Sequence, residues 1–125
     1  MIQIGKIVYY LLKNDATVSG YVGTKIYPLV APEKTIAPYV VYERRGSPEE
    51  NKDGSGLYNT LVYLTVFSDN YSEAINITQS ISDVLKGYSG TLYDTNVKDV
   101  EETNIQEVYF DDKYVEEITM NFKTN

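Results

Sequence analysis

Leu57-Tyr58-Asn59-Thr60-Leu61-Val62-Tyr63-Leu64-Thr65-Val66-Phe67-Ser68 leads directly into Asp69-Asn70-Tyr71-Ser72-Glu73, and this strand-to-helix passage decides the fold. Its β-branched and aromatic residues suit a pleated backbone. Side chains alternate along a strand, so Tyr58, Val62, Leu64 and Val66 share one face, with Leu61, Tyr63 and Phe67 on the other. Apolar residues on both faces predict a central strand covered on both sides, by helices or by another subunit. Asn70 with Glu73 three residues on forms a capping box, with Asn in place of Ser or Thr. Ala74, Ile77, Ile81, Val84 and Leu85 then recur at helical spacing, and Gly87 supplies a left-handed stop. The spacing predicts a helix over 71–86.

Working outward, Ile4, Ile7, Val8, Leu11 and Leu12 mark one face of an amphipathic helix over 3–13. Asn14-Asp15 can cap a second, short helix over 16–22, closed by Gly20 or Gly23. Pro28, Pro32 and Pro38 lack backbone donors, so the stretch between Ile26 and Pro38 holds at most a brief edge strand. A strand follows over 39–44. On the C-terminal side, an acidic strand over 97–105 and a last strand over 114–123 complete the order. In that last strand Ile118, Met120 and Phe122 alternate with Glu117, Thr119, Asn121 and Lys123, which predicts one buried and one solvent-facing side. The class is α+β, a mostly antiparallel sheet of four to five strands with two main helices packed on one face. The 125 residues fit one domain, 1–125, with one core.

Ser47-Pro48-Glu49-Glu50-Asn51-Lys52-Asp53-Gly54-Ser55-Gly56 contains no large apolar residue to offset the entropy of ordering. It is also longer than the roughly two to five residues of most hairpin loops. A mobile loop at 47–56 is expected, flanked by Arg44, Arg45 and Tyr58 as candidate interface residues.

Two absences exclude whole classes of chemistry. With no cysteine and no histidine, the chain has no thiol nucleophile, no Cys/His zinc set and no Ser-His-Asp arrangement. Paired carboxylates remain chemically open. Four adjacent acidic pairs stand out: Glu49-Glu50, Glu101-Glu102, Asp111-Asp112 and Glu116-Glu117. Neighbours in a strand point to opposite faces, so Glu101/Glu102 and Glu116/Glu117 cannot converge on one substrate atom. The other two pairs fall in expected loops. Gly54-Ser55-Gly56 lacks the third glycine of a phosphate loop, since position 59 is Asn. Asn51, Asp53 and Gly54 faintly follow a calcium loop, but its closing glutamate position is Val62. No catalytic, metal or cofactor site is expected.

The net charge is −7 and lies in one segment. Nine acids and eight bases leave 1–93 at −1, whereas nine acids against Lys98 and Lys113 give 94–117 a charge of −7. An acidic surface repels phosphate backbones, so sequence-specific nucleic-acid binding is not expected. No apolar run approaches the roughly 18 residues that span a bilayer, and no export signal is evident, so a cytosolic origin without a membrane partner is expected. Thirteen tyrosines and no tryptophan suit surfaces that are wet when free and buried on assembly.

The stretch Asp15-Ala16-Thr17-Val18, then Val22-Gly23-Thr24-Lys25-Ile26-Tyr27-Pro28, then Ala37-Pro38-Tyr39-Val40-Val41-Tyr42 resembles the phage tail-completion family, the small tail terminator or tail-to-head joining proteins. Val62-Tyr63-Leu64-Thr65-Val66-Phe67-Ser68 followed by a helix is similar to that family's strand, aromatic turn and helix. The acidic segment 94–117 carries no matching motif. The resemblance implies a virion protein, assembled in the bacterial cytoplasm, whose copies form a hexameric ring that stops tail-tube growth and faces the head connector. Its implied partners are itself, the tail-tube protein and head-connector proteins. It also implies a loop between central strands that orders on assembly. Two other readings compete: another neck or head-closure interaction protein, and a carboxylate-based hydrolase.

Overall fold

The computed structural model describes residues 2–46, 54 and 56–125. Two helices come first, α1 (Ile4–Lys13) and α2 (Ala16–Val22), followed by strands β1 (Ile26–Pro28), β2 (Tyr39–Arg45) and β3 (Tyr58–Ser68). Helix α3 (Tyr71–Leu85) then leads to β4 (Gly90–Leu92), β5 (Thr95–Phe110) and β6 (Lys113–Thr124). The starts of α2 and α3 follow from side-chain caps. Asp15 accepts a hydrogen bond from the Val18 amide at 3.0 Å, and Asn70 accepts one from the Glu73 amide at 2.8 Å. The reciprocal arm of the expected capping box runs through an intermediary: the Asn70 amide donates to Ser68 Oγ, whose hydroxyl lies 2.7 Å from Glu73. Gly87, at φ 77°, ends the helix as its sequence position predicts.

The sheet has six strands in the order β1-β2-β3-β6-β5-β4. All neighbours are antiparallel except β1 and β2, which run parallel, so the sheet is mixed. It carries more strands than the four to five expected, because Gly90-Thr91-Leu92 is too short to show a period. That strand is returned onto β5 by a two-residue turn, Tyr93-Asp94, both at positive φ. The acidic strand also continues to Phe110 rather than ending near Ile105.

All three helices lie on one face, and they explain the burial pattern. Ile4, Ile7, Val8 and Leu12 from α1 meet Ile77, Ile81 and Leu85 from α3 over Val62, Leu64, Val66, Ile118, Met120 and Phe122 of the two central strands. The sheet curls around α1, bringing Tyr93 against Tyr10 and Lys6. Within the chain the helices cover one side of β3, and the other side is left for the second cover that the sequence allowed, another subunit. Thr60, Val62, Leu64, Val66 and Ser68 are buried, whereas Leu61, Tyr63, Thr65 and Phe67 are half-buried on a face that no helix covers. The solvent-facing side expected of β6 needs correction. Thr119 is only 5% exposed, because β6 lies between β3 and β5 and both neighbours shield it. Phe122, on the opposite side, is fully buried.

Candidate functional site

Of the ten residues expected to form a mobile loop, Ser47, Glu49, Glu50, Asn51, Lys52 and Asp53 lie outside the described residues, as do Pro48 and Ser55. Gly54 and Gly56 are exposed, and Gly56 adopts φ 87°. Arg44 and Arg45 end β2, and both are exposed. Arg45 pairs with Glu43 at 3.0 Å and lies 4.0 Å over the Tyr63 ring, on the face opposite the helices. Tyr58 opens β3 opposite Thr124, half-buried. The three candidates thus flank the same end of the sheet, but they converge on no common cavity.

Two surfaces stand out. One is the open sheet face. At one end Tyr39 stacks on Phe67 with ring centroids 4.7 Å apart, and a cavity of about 460 Å³ opens between them, Leu29, Val30, Val41 and Phe110. Leu29 and Val30 project into solvent, Leu29 at φ 66°. The other surface is the β5–β6 hairpin. Asp111-Asp112, with φ of 53° and 60°, forms the tight turn that suits the right-handed twist of the two strands. Ile105, Val108, Tyr109 and Phe110 are all exposed along the strand that leads into it.

The hairpin also explains how the acidic segment is accommodated. As the alternation requires, Glu101 and Glu102 diverge: Glu101 bonds Lys123 at 3.0 Å, and Glu102 accepts from Ser82 of α3 at 2.7 Å. Glu116 and Glu117 diverge likewise. What the adjacent pairs conceal is a cross-strand pair, Glu107 opposite Glu116. As far as Asn104, residues equidistant from the Asp111-Asp112 turn face each other, so locating that turn in the sequence would have found them. Glu116 is 5% exposed, and burial, then hydrogen bonding and charge from Glu107, pushes its carboxyl from 4.5 up to about 7. The Tyr71 hydroxyl donates to Glu107, 3.1 and 3.0 Å from its two oxygens, and Tyr71, Tyr109 and Tyr114 pack as a ring cluster around the pair. The acid pair is a strut between α3 and the hairpin.

Among the described residues, no three His, Cys, Asp or Glu side chains are grouped to hold a metal ion. No described helix is long and apolar enough to cross a membrane.

No curated protein sequence matches the chain. A solved structure does: a chain described as "Virion of native gene transfer agent (GTA) particle" shares the fold at a TM-score of 0.79 with 19% sequence identity, over 94% of this chain and 90% of that one. The sequence profile of the family described as "Tail completion protein gp17" matches residues 6–124, running through the acidic segment that carries no recognisable motif. The chain therefore belongs to the tail completion protein gp17 family: it is a structural component of a phage-type virion and not an enzyme.

Proposed function

We propose that the chain is a tail terminator, whose copies close into a ring on the end of the tail tube, stop its growth and present the far rim to the head connector. The observation that carries this reading is surface left open by a subunit of a tail-completion family. The sheet face around Tyr39 and Phe67 and the strand leading to Phe110 expose large apolar groups that a lone soluble chain gains nothing by exposing. A ring of six, the number the family resemblance implies, gives those groups partners. The tail-tube protein and the head-connector proteins contact the two rims.

Two features of composition fit the same assembly. The segment 47–56, with Glu49, Glu50, Lys52 and Asp53 and no apolar anchor of its own, gains its partners in adjacent subunits as they join. The acidic segment 94–117 gives a rim or lumen that repels passing DNA rather than holding it.

The test is genetic and structural together. Phage lacking this protein should produce tails of uncontrolled length alongside unjoined heads, and the purified protein should restore joining. Normal tail lengths and intact virions in its absence would overturn the reading.

A further inference from the structure

From the two free edges of the sheet we infer that one copy docks onto the next by strand pairing, the outer edge of β5 over 104–110 on one copy meeting the outer edge of β2 over 43–45 on its neighbour. The inference rests on the ring reading above and specifies its contact.

The outer edge of β5 is occupied only at its beginning. β4 pairs with Thr95, Asn96 and Val97, and the Gly87 amide donates to the Val100 carbonyl at 2.8 Å. From Glu101 to Phe110 no backbone partner lies on that side among the described residues. The first part of this free edge is blunted. Register shifts at 97–99 and 102–104 bulge the strand, and Asp99, Glu101 and Glu102 charge it, both common protections against unwanted pairing. After the second bulge the protections stop. Asn104 to Phe110 pairs with β6 in unbroken register, carries one acid, and exposes Ile105 at 56%, Val108 at 59% and Phe110 at 68%. A regular, apolar, unprotected edge is what strand addition requires.

Charge decides the occupant. Antiparallel pairing of β5 with β5 of a second copy, centred on the free stretch, would set Glu107 against its own counterpart and Asp112 against Glu102. The complementary edge lies at the other side of the sheet. β1 pairs with β2 only as far as Tyr42, so Glu43, Arg44 and Arg45 have no strand neighbour on that side among the described residues. That edge carries two arginines against one acid. Opposite charge across the contact fixes its direction and register. Because the two surfaces differ, the contact is head-to-tail, the type that closes into a ring when its rotation permits.

The experiment uses the full chain and two variants at exposed positions, each checked for wild-type melting. Arg44→Glu with Arg45→Glu reverses one edge, and Ile105→Lys with Val108→Lys charges the other. Each variant alone should remain at the 14.2 kDa of one chain by native mass spectrometry. Mixed in equal amounts they should assemble, since each supplies the edge the other needs. Rings formed by either variant alone, or no assembly on mixing, would overturn this contact while leaving the ring intact as a reading. A wild-type chain that stays monomeric even with tail tubes present would overturn the ring reading itself.

Discussion

Strands β3 and β6 share the sheet with β5, yet the two regions follow opposite rules. Between β3, β6 and α3 the aliphatic and phenylalanine side chains that face one another are buried: Val62, Leu64, Ile77, Ile81, Ile118, Met120 and Phe122 are fully enclosed. Over the last seven residues of β5 the apolar groups are just as large, but Ile105, Val108, Tyr109 and Phe110 stand in solvent. The first region stabilises the fold by removing apolar area from water. The second leaves comparable area unused. A sheet that ends in an apolar, unpaired edge is complete as a fold, and the ring proposed above is what would complete it as an assembly.

The contrast predicts a wide separation of mutational effects. Phe122→Ala, which empties a buried aromatic site, should cost about 3–5 kcal/mol of stability. Phe110→Ala should stay within about 0.5 kcal/mol, as exposed substitutions do, while weakening self-association. Denaturant melts of both variants measure the gap, and equal losses would erase the distinction between the two regions. Thr119→Ala falls between them, because its side is shielded by the neighbouring strands although it faces away from the helices.

A smaller effect ties the hairpin to the helix layer. Glu116 stays neutral in the fold up to about pH 7, whereas in the unfolded chain it ionises near 4.5. The unfolded state therefore loses its proton first as pH rises. The stability this group contributes is full below about pH 4.5 and is lost progressively up to about pH 7. Glu116→Gln, which keeps the neutral hydrogen-bonding shape, should flatten that part of the melting-temperature profile and raise stability above pH 7. A profile unchanged by the substitution would show that burial beside Glu107 does not keep Glu116 protonated in the fold.

A further expected loss is local. Asn70→Ala removes the acceptor for the Glu73 amide at the start of α3 and should cost about 0.5–2 kcal/mol. The same variant should leave self-association alone, because the cap acts within α3 and removes no apolar contact. Reduced assembly at unchanged stability would mean that the start of α3 belongs to the contact.

What the sequence made legible follows the same division. The period of Ile77, Ile81 and Leu85, the Asn70 cap and the Gly87 stop place α3 within one residue, since each is a local signal. The family was legible through the passage from Val62 to Ser68 into that helix. The six-strand count was not, because β4 spans three residues and is defined by its pairing partner rather than by any pattern of its own. The end of β5 was missed for a related reason. Beyond Ile105 its apolar residues do not alternate with polar ones, as they would on a strand with one face buried, and their exposure leaves no such period to read. Glu107 and Glu116 escaped because their meeting depends on register across a turn, not on adjacency.

Closure of this chain into a ring with copies of itself is the proposal on which the rest depends. Native mass spectrometry of the purified protein added to tail tubes, with negative-stain imaging of the tube ends, tests it most directly. The expected result is a multiple of 14.2 kDa, near six copies, and a single ring capping each tube. A single copy, or tubes whose ends remain bare, would contradict it.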